Sequence, residues 1–366
     1  MAATSPAGPF KGLVELIEHQ RKLAGTIGQL AGMRDSQVDL ATLPKTEVHR
    51  IGSKVLYHCA SPVGPAKIPP VLVAYALVGR YTILDLQEDR SFLRQLVDAG
   101  LDVYAIDWGH PTRADRFDDL GDYVDGYLDA FVDAVRERSG HDKINLFGIC
   151  QGGVIALCHA ALFPEKVRNL VLAVTPVDFH ADQTEDRPDR GFMNIWARAL
   201  KAEDIDLMVE ALGNLPGDIG GVAFSMMTPL RSLTKYSLTL VEVGQDEAKL
   251  MNFLRMEKWL ADRPAHPGGV ARQWLNDLYR ENRLVRGKLE LVGRRVDLRE
   301  VTMPVLNIYT ETDHIIPPPM TKALRQHVGS KDYTELAVKG GHIGVFVGGA
   351  SQQTLREGVK EWLDAR

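Results

Sequence analysis

The sequence predicts an α/β fold in which a mostly parallel central sheet carries helices on both faces and is interrupted by an inserted helical cap. From residue 46, short apolar runs rich in β-branched residues alternate with amphipathic segments, the pitch of strand, helix, strand. The alternation lapses over residues 178–300, which are first polar and then helical, and it resumes over residues 301–366. One sheet domain with an insertion accounts for the 366 residues better than two tandem domains.

Residues 1–45, ahead of the pattern, read as an N-terminal amphipathic helical segment, because Phe10, Leu13, Ile17, Leu23, Ile27 and Leu30 recur at helical spacing. Such a helix can dock on its own domain or offer its apolar stripe to another subunit or an apolar assembly. "EVHRIGSKVLYHCAS" reads as a hairpin turning near Gly52 and Ser53, and "PPVLVAYAL" as a buried strand. "SFLRQLVDAG" is a short helix closed by Gly100, and "LDVYAIDWG" is the next strand. Tyr123, Val124, Tyr127, Leu128, Phe131, Val132 and Val135 keep the rhythm of a core-facing helix. "KINLFGIC" returns to strand, a helix begins past Cys150, and "VRNLVLAVTP" is a further strand. These elements, residues 46–177, together with residues 301–366, are expected to form the core.

Within residues 178–300, "ADQTEDRPDRG" is loop-like, whereas "MNFLRMEKWLAD" and "GGVARQWLNDLYREN" are helical. This stretch holds Trp196, Trp259 and Trp274 and six of the ten methionines, more adaptable apolar surface than a linker needs. A helical subdomain with its own core and a cap over a pocket both fit, and the two are compatible. Past it come the strand "VLNIYTETD", a helix around "MTKALRQHV", the strand "YTELAV" and a closing helix carrying Leu355, Val359, Trp362 and Leu363.

Composition narrows the function. Hydrophobic residues make up 45% and charged residues 25%, an ordinary soluble globular balance. A net charge of -5 argues against a nucleic-acid binder, which needs clustered cations. No run reaches the ~20 apolar residues of a transmembrane segment and "MAATSPAGPFKGL" lacks a signal core, so a cytoplasmic location is expected. The three cysteines, Cys59, Cys150 and Cys158, have no CxxC spacing; free thiols are expected, without a disulfide framework or a metal. No Walker A or dinucleotide glycine pattern is present, and no cofactor is expected.

"LFGICQGG" sets a cysteine between Gly148 and Gly152, where a buried strand turns into a helix. That is the nucleophile elbow of α/β-hydrolases, whose glycines allow a tight turn that lifts the middle side chain to the helix N-terminus. The helix dipole and free N–H groups there favour thiolate over thiol. The elbow calls for an acid after a later strand and a histidine after the last one. Asp313 follows "VLNIYTET", and His342 lies in "AVKGGHIGVF" after "YTELAV", in that order. Gly340, Gly341 and Gly344 read as backbone making room around His342. The backbone N–H groups of Gln151 and Val78 are the candidate oxyanion hole. His314 reads as structural or as support for the neighbouring acid, Asp107 as stabilising its loop with substrate contact as the lesser alternative, Cys158 as core, and Cys59 as a cysteine without neighbouring partners in sequence.

"YALVGRYTILDLQEDRS", "VYAIDWGHP", "LFGICQGG", "VRNLVLAVTPVDF", "NFLRMEKW", "VLNIYTETDHIIPP" and "YTELAVKGGHIG" together resemble the catalytic subunit of polyhydroxyalkanoate (PHA) synthases, from about residue 45 to the C-terminus. The likeness is to the short class III type, which works with a second subunit. The short class IV synthases share much of the pattern, and the resemblance does not choose the partner between the two. It places the family's cysteine, aspartate and histidine on Cys150, Asp313 and His342. It implies an acyltransferase that joins (R)-3-hydroxyacyl-coenzyme A, typically 3-hydroxybutyryl, into polyester, coenzyme A being a leaving group and not a cofactor. It also implies a PhaE-like second subunit, a homo-oligomer, and contact with the growing chain at a granule surface.

Sulfur suits that reaction. A serine attacking a thioester yields an oxyester and dissipates the acyl group's activation, whereas a cysteine exchanges one thioester for another and leaves it primed for an alcohol. Two rivals stand: a cysteine-dependent hydrolase similar to dienelactone hydrolase, and a catalytically silent scaffold binding a partner or a granule.

Overall fold

The computed structural model describes residues 11–59, 68–181, 197–227 and 234–366. Phe10, Trp196 and nearly all of "ADQTEDRPDRG" lie outside them. The main sheet contains β1 (Thr46–Ile51), β2 (Lys54–Cys59), β3 (Val71–Ala74), β4 (Val103–Asp107), β5 (Ile144–Ile149) and β6 (Val167–Ala173). A small hairpin, β7 (Glu290–Leu291) and β8 (Arg294–Arg295), precedes its last two strands, β9 (Val305–Thr310) and β10 (Tyr333–Val338). The eight main strands lie in the order β1-β2-β4-β3-β5-β6-β9-β10. β1 and β2 form the expected hairpin and β2 meets β4 antiparallel, while every pair from β4 to β10 is parallel.

The middle strands are buried on both faces, which explains their near-continuous apolar text. Leu72, Leu146 and Leu170 face one core layer, whereas Val71, Val73, Phe147 and Val171 face the other, the alternation a pleated strand imposes. On the first side lies α3 (Asp129–Ser139), entered through a wider turn at Asp122–Leu128 and ended by Gly140 in a left-handed conformation. It shares that side with α4 (Gln151–Leu162), every residue of which is buried. On the other side lie α2 (Phe92–Asp98) and the closing helix Gly349–Asp364. The strand order reverses at β3, with β4 on one side and β5 on the other, so loops at the carboxyl ends of these strands splay apart and open a crevice.

Between β6 and β7 the chain runs through helices Ala202–Leu212, Gly217–Met227, Leu240–Val243, Glu247–Ala261 and Gly268–Gln273, the last continuing to Arg280. Both segments read as helical from the sequence coincide with these helices, overrunning their ends by one residue at Asp262 and two at Glu281 and Asn282. The β7–β8 hairpin went unread: its turn residues Val292 and Gly293 both have positive φ, and a valine there carries no turn signal.

Helix α1 (Lys11–Ala31) meets Leu240–Val243, where Thr26 is buried and Gly244 leaves no room for a Cβ against the Thr26 hydroxyl. Its residues Leu13, Leu16, Ile17 and Ile27 stay exposed. The helix therefore docks on its own chain around Thr26 and presents an apolar stripe outward. No helix among the described residues is long and apolar enough to cross a membrane.

Candidate active site

Cys150 stands between β5 and α4 with φ 54 and ψ -120, a strained conformation for a residue with a Cβ. The glycines around it are sterically required. A Cβ on Gly148 would lie 2.5 Å from the Gly153 Cα, and one on Gly152 would lie 2.2 Å from the Ala74 carbonyl oxygen. Close packing of α4 onto β3 and β5 thus holds the elbow, and the Cys150 N–H donates to Ala173 O at 3.0 Å. Cys150 is only 7% exposed.

Asp313 follows β9 and is fully buried. Its Oδ1 accepts the N–H groups of Ile315 and Ile316, both at 2.9 Å, and its Oδ2 accepts the Thr310 hydroxyl at 3.3 Å. The same Oδ2 lies 2.8 Å from His342 Nδ1, in the loop after β10. His342 is buried, and the Cys150 sulfur is close enough to act on its ring. Burial alone would disfavour the imidazolium, but the Asp313 carboxylate and the Cys150 sulfur outweigh it, so the histidine pKa is raised well above its ordinary value. The structure therefore brings together the three side chains that the sequence places after β5, β9 and β10. The other two cysteines sit in apolar core, and burial pushes each thiol up to about 12.

Several expectations are corrected or refined. Val78 N–H, expected as an open oxyanion donor, donates to the side-chain Oε1 of Gln151 at 3.0 Å, and Leu77 N–H reaches the same oxygen at 3.1 Å. The Gln151 side chain thus fills the space its own backbone was expected to share with Val78. Of the glycines around His342, only Gly340 is conformationally required, at φ 117; a Cβ on Gly341 or Gly344 would meet nothing within 4 Å. Asp107 stabilises its loop as expected, accepting Gly109 N–H at 2.9 Å and Arg80 Nη2 at 2.6 Å. His314 is exposed beside the acid.

A pocket opens above Cys150, and its lining is mostly apolar: Val78 and Ile316 from the core, Leu215, Ile219, Trp274 and Leu275 from the insertion. The insertion also grips the loop after β3. Trp259 Nε1 donates to Arg80 O at 2.9 Å, its ring fills the space where Gly79 lacks a side chain, and Asp262 pairs with Arg80 and His110. His266, buried between Pro264 and Pro267, approaches the Gln151 carboxamide at 3.2 Å. The sequence reading missed His266 and Leu77. A histidine in an apolar, proline-flanked stretch was the one available signal.

The arrangement is a thiol, an imidazole and a carboxylate in series at the floor of an apolar pocket, the equipment for acyl transfer through sulfur. Residues 69–349 match the family described as alpha/beta hydrolase fold. The poly(3-hydroxyalkanoate) polymerase subunit PhaC of Synechocystis sp. is 42% identical over 98% of this chain and 94% of that protein. The PhaC subunit of Allochromatium vinosum is 41% identical over 98% of each. That of Haloferax mediterranei is 38% identical over 90% of this chain and 66% of the relative. With this fold and kinship spanning nearly its whole length, the chain belongs to the alpha/beta hydrolase fold family and, within it, to the PhaC polymerase subunits.

Proposed function

We propose that the chain is the catalytic subunit of a PHA synthase, an acyltransferase that polymerises (R)-3-hydroxyacyl-coenzyme A with release of coenzyme A. Kinship to PhaC subunits supports the activity. The observation that carries the mechanism is the contact series Cys150, His342, Asp313 beneath an apolar pocket.

In the first half-reaction His342 Nε2 takes the Cys150 proton and the thiolate attacks the thioester carbonyl. The carbon–sulfur bond to coenzyme A breaks, and the leaving thiolate takes the proton back from His342. The acyl group now rests on Cys150 as a thioester of nearly equal free energy. In the second half-reaction the 3-hydroxyl of a monomer or chain end gives its proton to His342 and attacks the acyl-cysteine. An ester forms, the Cys150 thiolate leaves, and the imidazolium proton returns to it. Asp313 keeps Nδ1–H pointed at itself and stabilises the cationic ring in both halves. The insertion acts as a cap, its apolar wall keeping water from the acyl-cysteine.

On this reading the protein works in the cytoplasm on polyester granules. A PhaE-like second subunit docks on the apolar stripe of α1 within a homo-oligomer; glutamates at both Leu16 and Ile17 should abolish its co-sedimentation with that subunit. The purified chain, mixed with 3-hydroxybutyryl-coenzyme A with and without the second subunit, should lose its Cys150 thiol as coenzyme A appears, then deposit insoluble polyester. The Cys150→Ala variant should do neither. Coenzyme A release yielding only free hydroxy acid would support the hydrolase instead.

A further inference from the structure

The loop after β3 points two backbone N–H groups, Leu77 and Val78, at one atom, the Gln151 Oε1, at 3.1 and 3.0 Å. A side-chain carbonyl oxygen held by a pair of N–H groups beside the nucleophile has the geometry of a bound acyl carbonyl. The amide orientation follows from the donors, since a flipped carboxamide would set its NH₂ against two N–H groups. The other end of the carboxamide faces the insertion: Gln151 Nε2 lies 3.2 Å, and Oε1 3.3 Å, from His266 Nε2. His266 is itself fixed by reciprocal backbone bonds with Leu215, at 2.8 and 2.9 Å. Both residues line the pocket.

We infer that the Gln151 carboxamide is a positioning latch: it occupies the oxyanion site at rest and is withdrawn onto His266 of the insertion when a thioester carbonyl enters. A neutral imidazole can serve both states. With its proton on Nε2, His266 donates to Gln151 Oε1, 3.3 Å away at rest, and keeps that bond when the backbone donors let go, so no proton has to move. Burial keeps the ring neutral, lowering its pKa to about 4. The glutamine oxygen thus trades two backbone donors for one ring donor already within reach, and the freed N–H groups turn to the substrate. The state of the insertion is thereby transmitted to the atoms that stabilise the transition state. This inference rests on the acyl-transfer reading of Cys150.

The test is single-turnover coenzyme A release by the full chain from 3-hydroxybutyryl-coenzyme A, across substrate concentrations. Gln151→Met keeps length and removes the oxygen; it should raise kcat/KM for acylation about tenfold, mainly through KM, as expected when competing hydrogen bonds vanish. His266→Phe strands the oxygen on its donors and should slow acylation about tenfold, yet change nothing when added to Gln151→Met. Gln151→Ala, read beside a thermal melt, substitutes if the methionine variant fails to fold. Acylation slowed or unchanged in folded Gln151→Met, or a His266→Phe loss that persists in the double variant, would overturn the latch. Wild-type chain that releases no coenzyme A, or Cys150→Ala that still does, would instead overturn the acyl-transfer reading.

Discussion

At the scale of single residues, Asp313 shows how a buried charge is made useful. Its carboxylate lies out of water, yet two backbone N–H groups, one hydroxyl and one imidazole satisfy it before any proton moves. Asp313→Asn keeps the shape but puts an NH₂ or a neutral oxygen where His342 Nδ1 expects an anion. Acylation should fall about 10⁴-fold, and the His342 pKa should drop, since the carboxylate is the largest influence opposing burial. Ring-resonance titration by NMR alongside coenzyme A release checks both, and a rate within tenfold of wild type would refute the assigned role. Cys150, Asp313 and His342 were legible as candidates because each follows a short run rich in apolar and β-branched residues that reads as a strand, so the turn that must present it is marked. The Gln151 side chain was not: a polar residue at a helix start can face water, and only folding brings it to donors 73 and 74 positions away and to His266, 115 positions away.

At the scale of elements, the elbow depends on how closely α4 approaches the sheet. Gly152→Ala would drive a methyl group to 2.2 and 2.3 Å from the carbonyl oxygens of Ala74 and Tyr75, at a strand end that cannot retreat without tearing its ladder. A loss of about 3 kcal/mol in urea unfolding is expected. Gly126 is an exposed helical glycine with nothing near its Cβ position, and Gly126→Ala should add about 0.5–1 kcal/mol. If the two variants shifted stability equally, close packing would not be what demands the elbow glycines. Strand and helix identities were readable because period and length agree locally. The short β7–β8 hairpin was not, because its turn is fixed by backbone torsions that its residues do not advertise.

The seam between the insertion and the elbow should also be felt as pH dependence. His266 has a folded pKa near 4, below the ~6.5 of an exposed histidine, because burial penalises its charge. Between these values the unfolded chain binds more protons than the folded one. Stability from this residue is therefore complete above pH ~6.5 and lost as pH falls toward 4, by about 3 kcal/mol. His342 works in the opposite direction: its raised pKa gives stability that is full below pH ~6.5 and lost as pH climbs through the folded value. His266→Phe should flatten the acid arm of a stability–pH curve and leave the alkaline arm alone. An acid arm as steep as in wild type would mean that His266 is protonated or solvated in the folded chain.

At the scale of the whole molecule, the proposed mechanism has the sheet fix three reacting groups while the insertion decides what reaches them. Water competes with the chain-end hydroxyl for the acyl-cysteine at ~55 M, so a polymerase on a hydrolase fold must keep the thioester dry. Leu215 and Ile219 belong to the wall that the insertion places over Cys150. Serine at both positions would let the pocket hold ordered water without removing a catalytic group. Loss of two partly buried aliphatic side chains weakens the apolar barrier by a few kcal/mol at most, and about 1.4 kcal/mol reaching the water-attack step is a tenfold change. Coenzyme A release should therefore stay within about threefold of wild type while the ratio of free 3-hydroxy acid to polyester rises about tenfold. Both products are measurable in one reaction, by chromatography of the supernatant and by weight or turbidity of the polymer. If the double serine variant still made polymer in the wild-type ratio with coenzyme A release intact, the wall would not be the water barrier, and the choice between polymer and hydrolysis would have to lie in how the chain end is held.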